Sequence, residues 1–346
     1  MLRRRDAFTL VEMLIVMSIL SVLIAVLLPA LQTARDSARR VACTSNLRQV
    51  ALAAINYEAA RGRFPSPGKM QQQSNGVCVP HRGRQFSWIV EVLPFMEEQT
   101  LFDEFDFSRS VFDQGNSNPA QRQPNALLCP ADSAEGRYYV DEEFSSGTKL
   151  SKGNYAAWAS PFHLELHDRF PAAIATVEGI RAQNVARGMS KTFMVSEVRT
   201  RALESDQRGA WAVPWNGSSL LAVDAHLEPI PGSEHGFCLN ASRPFAHMTP
   251  NHIGYGKDEI YECDADGAEA ERMPCVTWSV KTGLTRYLSS APRSNHIGGV
   301  NVSLMDGSCR FVTDHIDPFL MAAHVNIKHM TRCPPRYESP VLRPKH

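Results

Sequence analysis

The segment Asp6-Ala7-Phe8-Thr9-Leu10-Val11-Glu12-Met13-Leu14-Ile15-Val16 carries the chain from a basic N-terminus into an apolar run over residues 8–28, where Glu12 is the only ionisable side chain. As a helix rising about 1.5 Å per residue, that run is roughly 30 Å long, the thickness of a bilayer's hydrocarbon core. A membrane-spanning helix is therefore expected. Arg3, Arg4 and Arg5 stand just before it. Basic residues keep the flank they occupy in the cytoplasm, which puts the remaining chain on the far side.

Two plainer readings compete. A cleaved secretory signal needs small residues at positions −1 and −3 of the cut. Cutting after Ala30 leaves Leu28 at −3 and cutting after Ala34 leaves Gln32 there, so neither site fits. A simple anchor leaves Glu12 unexplained, because a charge inside a bilayer costs about 2.5 to 3.5 kcal/mol even on the lenient insertion scale and normally marks function.

Residues 6–16 resemble the cleavage and N-methylation motif of type IV prepilins and type II secretion pseudopilins. The resemblance implies that prepilin peptidase, a membrane aspartyl peptidase, cuts between Ala7 and Phe8 and methylates the new Phe8 amine, so that residues 1–7 form a cytoplasmic leader. Glu12 then stands fifth in the mature chain, where the family's Glu pairs with the Phe amine of a neighbouring subunit. A buried carboxylate is tolerable when a fixed ammonium compensates it. Ala7 stands where the family usually has Gly. Pro29 is the twenty-second mature residue, a place where pilin helices often carry a proline, and a kink or interruption is expected there.

Beyond Pro29 the helical pattern continues. Leu31, Ala34, Ala38, Val41, Leu47, Val50, Ala51 and Ala54 recur at steps of three and four, with Arg35, Arg39, Arg40, Arg48 and Gln49 between them. Gly62 and Pro65 end it. The expectation is one long, interrupted helix over residues 8–61, transmembrane over 8–28, its outer half packed on a globular head formed by residues 62–346. The basic stripe reads as a solvated face.

The composition fits a folded head: 43% of residues are hydrophobic and 21% charged, outside the range of chains that stay disordered. Lys plus Arg equals Asp plus Glu at 36 each, so no basic field favours nucleic acid, and no nucleic-acid partner is expected. The eight cysteines contain no C-x-x-C pair, which argues against a zinc ribbon or thioredoxin-like site and for disulfides in an exported domain.

Frequent Gly and Pro with short apolar stretches predict a β-rich head with a few helices. Ser87 is placed to cap a helix running from Trp88 through Phe102, interrupted at Pro94. Near the C-terminus, Val300, Val302 and Leu304 alternate with small or polar residues and Asp306-Gly307 follows. This predicts a β-hairpin over residues 299–313 with a two-residue type I′ turn. His296 stands ten residues before Asp306, followed by Gly298 and Gly299.

That H-x9-D-G arrangement resembles the C-terminal motif of a large bacterial family of prepilin-like proteins, much of it filed as a domain of unknown function. Further segments fall in the family's order: residues 39–56, Gly62-Arg63-Phe64-Pro65, Ser87-Trp88 with Leu93-Pro94-Phe95, Cys129-Pro130-Ala131-Asp132, Asn154-Tyr155, and Gly188-Met189-Ser190 through Glu197. Lys191 replaces an expected Asn. Because Cys43 and Cys129 both stand in such segments, the resemblance favours pairing them, which would staple helix to head. The other six cysteines allow fifteen pairings, with Cys263 and Cys275 the closest in sequence.

Candidates for chemistry are few. His296, Asp306 and Ser308 have the residue types of a catalytic set, but a turn Asp bonds its own backbone, and His296 reads as a structural residue held by a carbonyl or carboxylate. Calcium held by Asp306 and nearby carbonyls is the cofactor alternative, since some pseudopilins bind calcium. However, oxygen-ligand clusters of the D-x-[DN] type are absent, Asp264-Ala265-Asp266-Gly267 being the nearest approach. His163 with His167 and His247 with His252 lack a third ligand and read as surface histidines. No metal site, cofactor or enzymatic activity is expected.

The whole reading is an α+β, single-pass protein of the inner (cytoplasmic) membrane, N-terminus cytoplasmic and head extracytoplasmic. It is a major or minor pseudopilin-like subunit of a type IV pilus-like or type II secretion filament. Its implied partners are prepilin peptidase, other pilin-like subunits and the inner-membrane assembly or secretion apparatus. The rival reading is an anchored binding protein for a polymer or partner protein; a tethered hydrolase ranks third.

Overall fold

A computed structural model describes residues 10–72, 78–115, 117–141, 145–168, 170–224, 227–229, 237–239, 249–254, 257–261, 263–277, 288–328 and 331–332. Ala7 and Phe8, and with them the cleavage site, lie outside the described residues.

Helix α1 (Leu10–Arg61) runs 52 residues without a break. The interruption expected at Pro29 does not occur. One proline removes a single i to i−4 hydrogen bond, and the remaining ladder keeps the helix continuous. The Thr33 hydroxyl donates to the Pro29 carbonyl at 3.0 Å. At the other end Gly62 adopts φ +75° and donates its N–H to the Glu58 carbonyl at 2.7 Å, the left-handed cap that lets a helix stop without stranding a carbonyl.

The two halves of α1 have opposite surroundings. Residues 10–41 are exposed throughout, including Leu14, Val22, Ile24 and Leu28, and this half contains a segment long and apolar enough to cross a membrane. From Cys43 onward the helix docks: Cys43, Leu47, Val50, Ala51, Ala53 and Ala54 are buried. Their spacing of three and four selects one face, and the alanines let the backbone approach the head closely.

The head centres on a five-stranded sheet: β1 (Tyr155–Ser160), β2 (Phe193–Glu197), β3 (Leu220–Ala222), β4 (Gly299–Leu304) and β5 (Cys309–Thr313), in spatial order β5-β4-β2-β1-β3. All neighbours are antiparallel except β1 with β3. Both faces are covered. Tyr155, Ala157 and Ala159 join the core shared with α1, whereas Ala156, Trp158, Val300, Val302 and Leu304 form a second core with the helix Pro318–Val325. The pleat alternates side chains between the faces, so Asn301 and Ser303 turn toward α1 and not toward water; they are 2% and 0% exposed. The chain is thus an α+β protein.

Two local expectations need correction. The helix read from Trp88 to Phe102 is three short pieces, Trp88–Val92, a 3-10 turn at Leu93–Met96 and Gln99–Asp103. Pro94 and a left-handed Glu97 at φ +64° divide them. Ser87 does not cap with its side chain; its buried hydroxyl donates to the Trp211 carbonyl at 2.6 Å.

The second correction is the hairpin turn. Ser303 pairs with Cys309, Leu304 N–H donates to Ser308 O at 2.8 Å and Gly307 N–H to Leu304 O at 3.0 Å. Only Gly307, at φ +83°, is left-handed. The loop is therefore the three-residue form, Met305-Asp306-Gly307, in which a turn is followed by one left-handed glycine; type I′ would require Asp306 to be left-handed too.

Candidate functional site

The family-matching segments, scattered from residue 43 to residue 307, meet on the docking face of α1. Strand β2 presents Val195 and Glu197 to that face, and Glu197 stands opposite Tyr155 on β1. The Tyr155 hydroxyl donates to the Cys43 carbonyl of α1 at 2.8 Å. Cys43 is also joined to Cys129 by a disulfide with a Cα–Cα distance of 4.7 Å. Asn46, one turn on, donates to the Leu128 carbonyl at 2.7 Å.

Glu197 is 1% exposed, and a buried carboxylate needs donors around it. Asn301 supplies two: its backbone N–H reaches Glu197 Oε2 at 2.7 Å and its Nδ2 reaches Oε1 at 2.9 Å. His296 Nε2 lies 3.2 Å from the same Oε1. Cys129 Sγ is 3.8 Å from Glu197 Oε1 and 3.8 Å from His296 Nε2. Four residues from four segments thus surround one point beside α1.

The Cys-Pro-Ala-Asp loop is locked behind them. Asn154 Oδ1 accepts the Cys129 N–H at 2.8 Å and its Nδ2 donates to Asp132 Oδ2 at 2.6 Å. The same carboxylate accepts from the Thr200 hydroxyl at 2.7 Å and, through Oδ1, from Asn295 at 3.0 Å. Asn295 immediately precedes His296, so this network fixes the loop carrying the imidazole.

The other end of the motif also rests on α1. A Cβ on Gly307 would stand 3.2 Å from Ile55 Cδ1 and 3.4 Å from Leu52 Cδ2, and the Arg40 guanidinium stacks 3.6 Å from the Phe311 ring centre. Met305 N–H donates to Thr192 O at 3.0 Å, and His324 Nδ1 meets Lys191 O at 2.7 Å. The loop at Lys191 makes these contacts through its backbone carbonyls. Gly298 is left-handed at φ +82° with open space where a Cβ would be, whereas a Cβ on Gly299 would strike the Val312 carbonyl.

His296, Asp306 and Ser308 do not form one site. His296 stands at the start of β4 and Asp306 beyond its end, and six strand residues span roughly 20 Å. Asp306 Oδ1 accepts from Ser308 N–H at 2.9 Å and from its hydroxyl at 2.7 Å. Partial burial pushes the Asp306 carboxyl up, but these bonds outweigh it and hold it below the usual carboxylate range.

Asp264 caps the helix Ala265–Ala270 and pairs with Arg201 at 3.2 Å, while Cys263 and Cys275 form a second disulfide. His163 and His167 are 7% and 0% exposed, which corrects their reading as surface residues. His167 Nδ1 accepts the Thr176 N–H at 3.0 Å, and burial pushes its imidazole down to about 4. His247 lies outside the described residues.

Sequence reasoning reached Glu197 only as the end of a matching segment and did not single out Asn301. The available signal was a polar Asn between Val300 and Val302 in a strand with both faces buried.

A continuous N-terminal helix, apolar and uncovered in its first half and docked through its second half on an α+β head, defines the prepilin-like class of proteins. Residues 2–28 match the prokaryotic N-terminal methylation motif. Residues 32–319 match the model of the family described as protein of unknown function (DUF1559), and the chain belongs to that family. No curated protein and no solved structure matches it.

Proposed function

We propose that the protein is a structural, non-enzymatic subunit of a type IV pilus-like or type II secretion filament. In this reading prepilin peptidase removes residues 1–7 and methylates Phe8. The mature chain then waits in the inner membrane with its head outside and joins neighbours through α1.

The observation that carries this reading is the contrast along α1. Residues 10–41 are exposed, while Cys43, Leu47, Val50, Ala51, Ala53 and Ala54 are buried against the head. Burying one large aliphatic side chain contributes about 1.5 to 3 kcal/mol, so a helix half studded with Leu, Ile, Val and Met is stable only in lipid or against other such helices.

Intact mass of the membrane-extracted protein tests the processing: the expected chain begins at Phe8 and carries one extra methyl group. A chain still starting at Met1, or cut near Ala34, contradicts it. Electron microscopy of cells with a labelled head tests assembly. Label along filaments supports the subunit reading, and label dispersed over the surface supports the anchored binding protein.

A further inference from the structure

We propose that Cys43, Cys129, Glu197 and His296 form a redox-gated site for a divalent transition cation of the zinc class, closed while the two sulfurs are bonded to each other and opened when they are reduced.

The geometry points to this directly. One ligand atom from each of the four residues lies within 4.8 Å of the other three. In a tetrahedral zinc site, with Zn–S about 2.3 Å and Zn–N or Zn–O about 2.0 to 2.2 Å, the N···O edge is about 3.4 Å and each S···N or S···O edge about 3.5 Å. The protein has 3.2 Å from His296 Nε2 to Glu197 Oε1 and 3.8 Å from Cys129 Sγ to each of them. Three corners of the tetrahedron are therefore in place around Cys129. Only the S···S edge differs, because a bonded pair must part to about 3.8 Å before both thiolates can hold one ion.

The donor set also selects the ion. Two thiolates and an imidazole favour zinc-like cations over calcium or magnesium, which prefer oxygen. The outer contacts are those of a ligand site: Asn301 holds the Glu197 carboxylate with two donors, Asn154 holds the Cys129 backbone, and Ser294 Oγ accepts the His296 N–H at 3.1 Å. Such supports orient ligands and raise affinity. Cys43, Cys129 and Glu197 are at most 3% exposed, so the ion would be shielded from competing water.

The gating step balances with a dithiol as reductant. The dithiol gives up two electrons and two protons and closes into its own disulfide, while the Cys43–Cys129 bond takes them up and becomes two thiols. The cation then displaces one proton from each thiol to solvent and binds the two sulfurs, His296 Nε2 and Glu197 Oε1.

The test uses the full chain in detergent, titrated with Co²⁺ alone and with Zn²⁺ alone, before and after reduction by a dithiol that is then removed without air. The reduced parent should bind one equivalent of Co²⁺ more than a Cys43→Ser/Cys129→Ser variant treated identically, with intense sulfur-to-cobalt absorption and tetrahedral d–d bands. The oxidised parent should lack that equivalent. His296→Ala should weaken the added equivalent by about tenfold or more, with near-ultraviolet circular dichroism reporting that the variant is folded. Equal binding by the parent and the double-serine variant would overturn the proposal. So would equal binding by oxidised and reduced parent, or a reduced chain that loses its near-ultraviolet signal and does not regain it with Zn²⁺.

Discussion

Tyr155 donates its hydroxyl hydrogen to the carbonyl of Cys43 at 2.8 Å, so a central strand of the head grips α1 at the residue that the disulfide to Cys129 also holds. The two restraints act differently. The hydrogen bond joins residues 112 apart in sequence but vanishes when the chain unfolds, whereas the disulfide is covalent and also closes a separation of 86 residues in the unfolded chain.

Breaking the covalent restraint should therefore cost more. Loop-closure entropy for that separation corresponds to about 4 to 5 kcal/mol in the chain-entropy picture, while Tyr155→Phe removes one buried hydrogen bond, on the order of 1 kcal/mol. Denaturant midpoints of the Cys43→Ser/Cys129→Ser and Tyr155→Phe variants check the order. Equal losses would mean that the disulfide contributes little to docking.

Glu165 should make stability fall as pH rises. Burial pushes its carboxyl up to about 8, against the two 3.1 Å bonds from the Leu288 N–H, while the unfolded chain titrates near the ordinary value of 4.5. The folded state thus binds more protons between these limits. Its contribution is complete below about pH 4.5 and is lost as pH climbs through 8, a change on the order of a few kcal/mol. Glu165→Gln, which keeps an acceptor for Leu288, should flatten the slope and stabilise the protein at pH 8. Midpoints at pH 5 and pH 8 decide, and an unchanged slope in the variant rejects the assignment.

Gly307 and Gly298 share the left-handed backbone but not the surroundings. Gly307→Val adds a β-branched residue at φ +83° facing Ile55 and Leu52, with an expected loss of roughly 1 to 3 kcal/mol. Alanine at Gly298 meets no neighbour and should cost less than alanine at Gly307. Thermal midpoints of the two alanine variants test the ranking, which fails if Gly298→Ala is the worse.

Glu12→Gln should leave membrane insertion intact or improved and abolish assembly, because it relieves a charge in the bilayer while deleting the partner proposed for a neighbouring Phe8 amine. Crosslinking of membrane-extracted subunits and filament counts report the outcome. A variant that assembles like the parent removes the inter-subunit pairing from the proposal.

Residues that act through their chain neighbours were legible before any fold was known. The apolar run at 8–28 and the three-and-four spacing from Leu31 to Ala54 announce α1, and alternation at Val300, Val302 and Leu304 followed by Asp306-Gly307 announces the hairpin, since helical and strand periods are properties of consecutive residues. Continuity through Pro29 and the turn form at Met305-Asp306-Gly307 were less legible. Each depends on whether the surrounding hydrogen-bond ladder and the side chains of Leu52 and Ile55 accept the local geometry.

The resemblance pointed to Cys43 with Cys129, and the disulfide joins them; that Glu197 and His296 meet them was decided by tertiary structure alone. The sequence places these residues far apart, and what joins them is a sheet whose order interleaves distant strands and whose pleat turns Glu197 and Asn301 toward the helix. A buried carboxylate is stable only where desolvation is offset by donors from other segments, and no stretch of chain around Glu197 contains those donors.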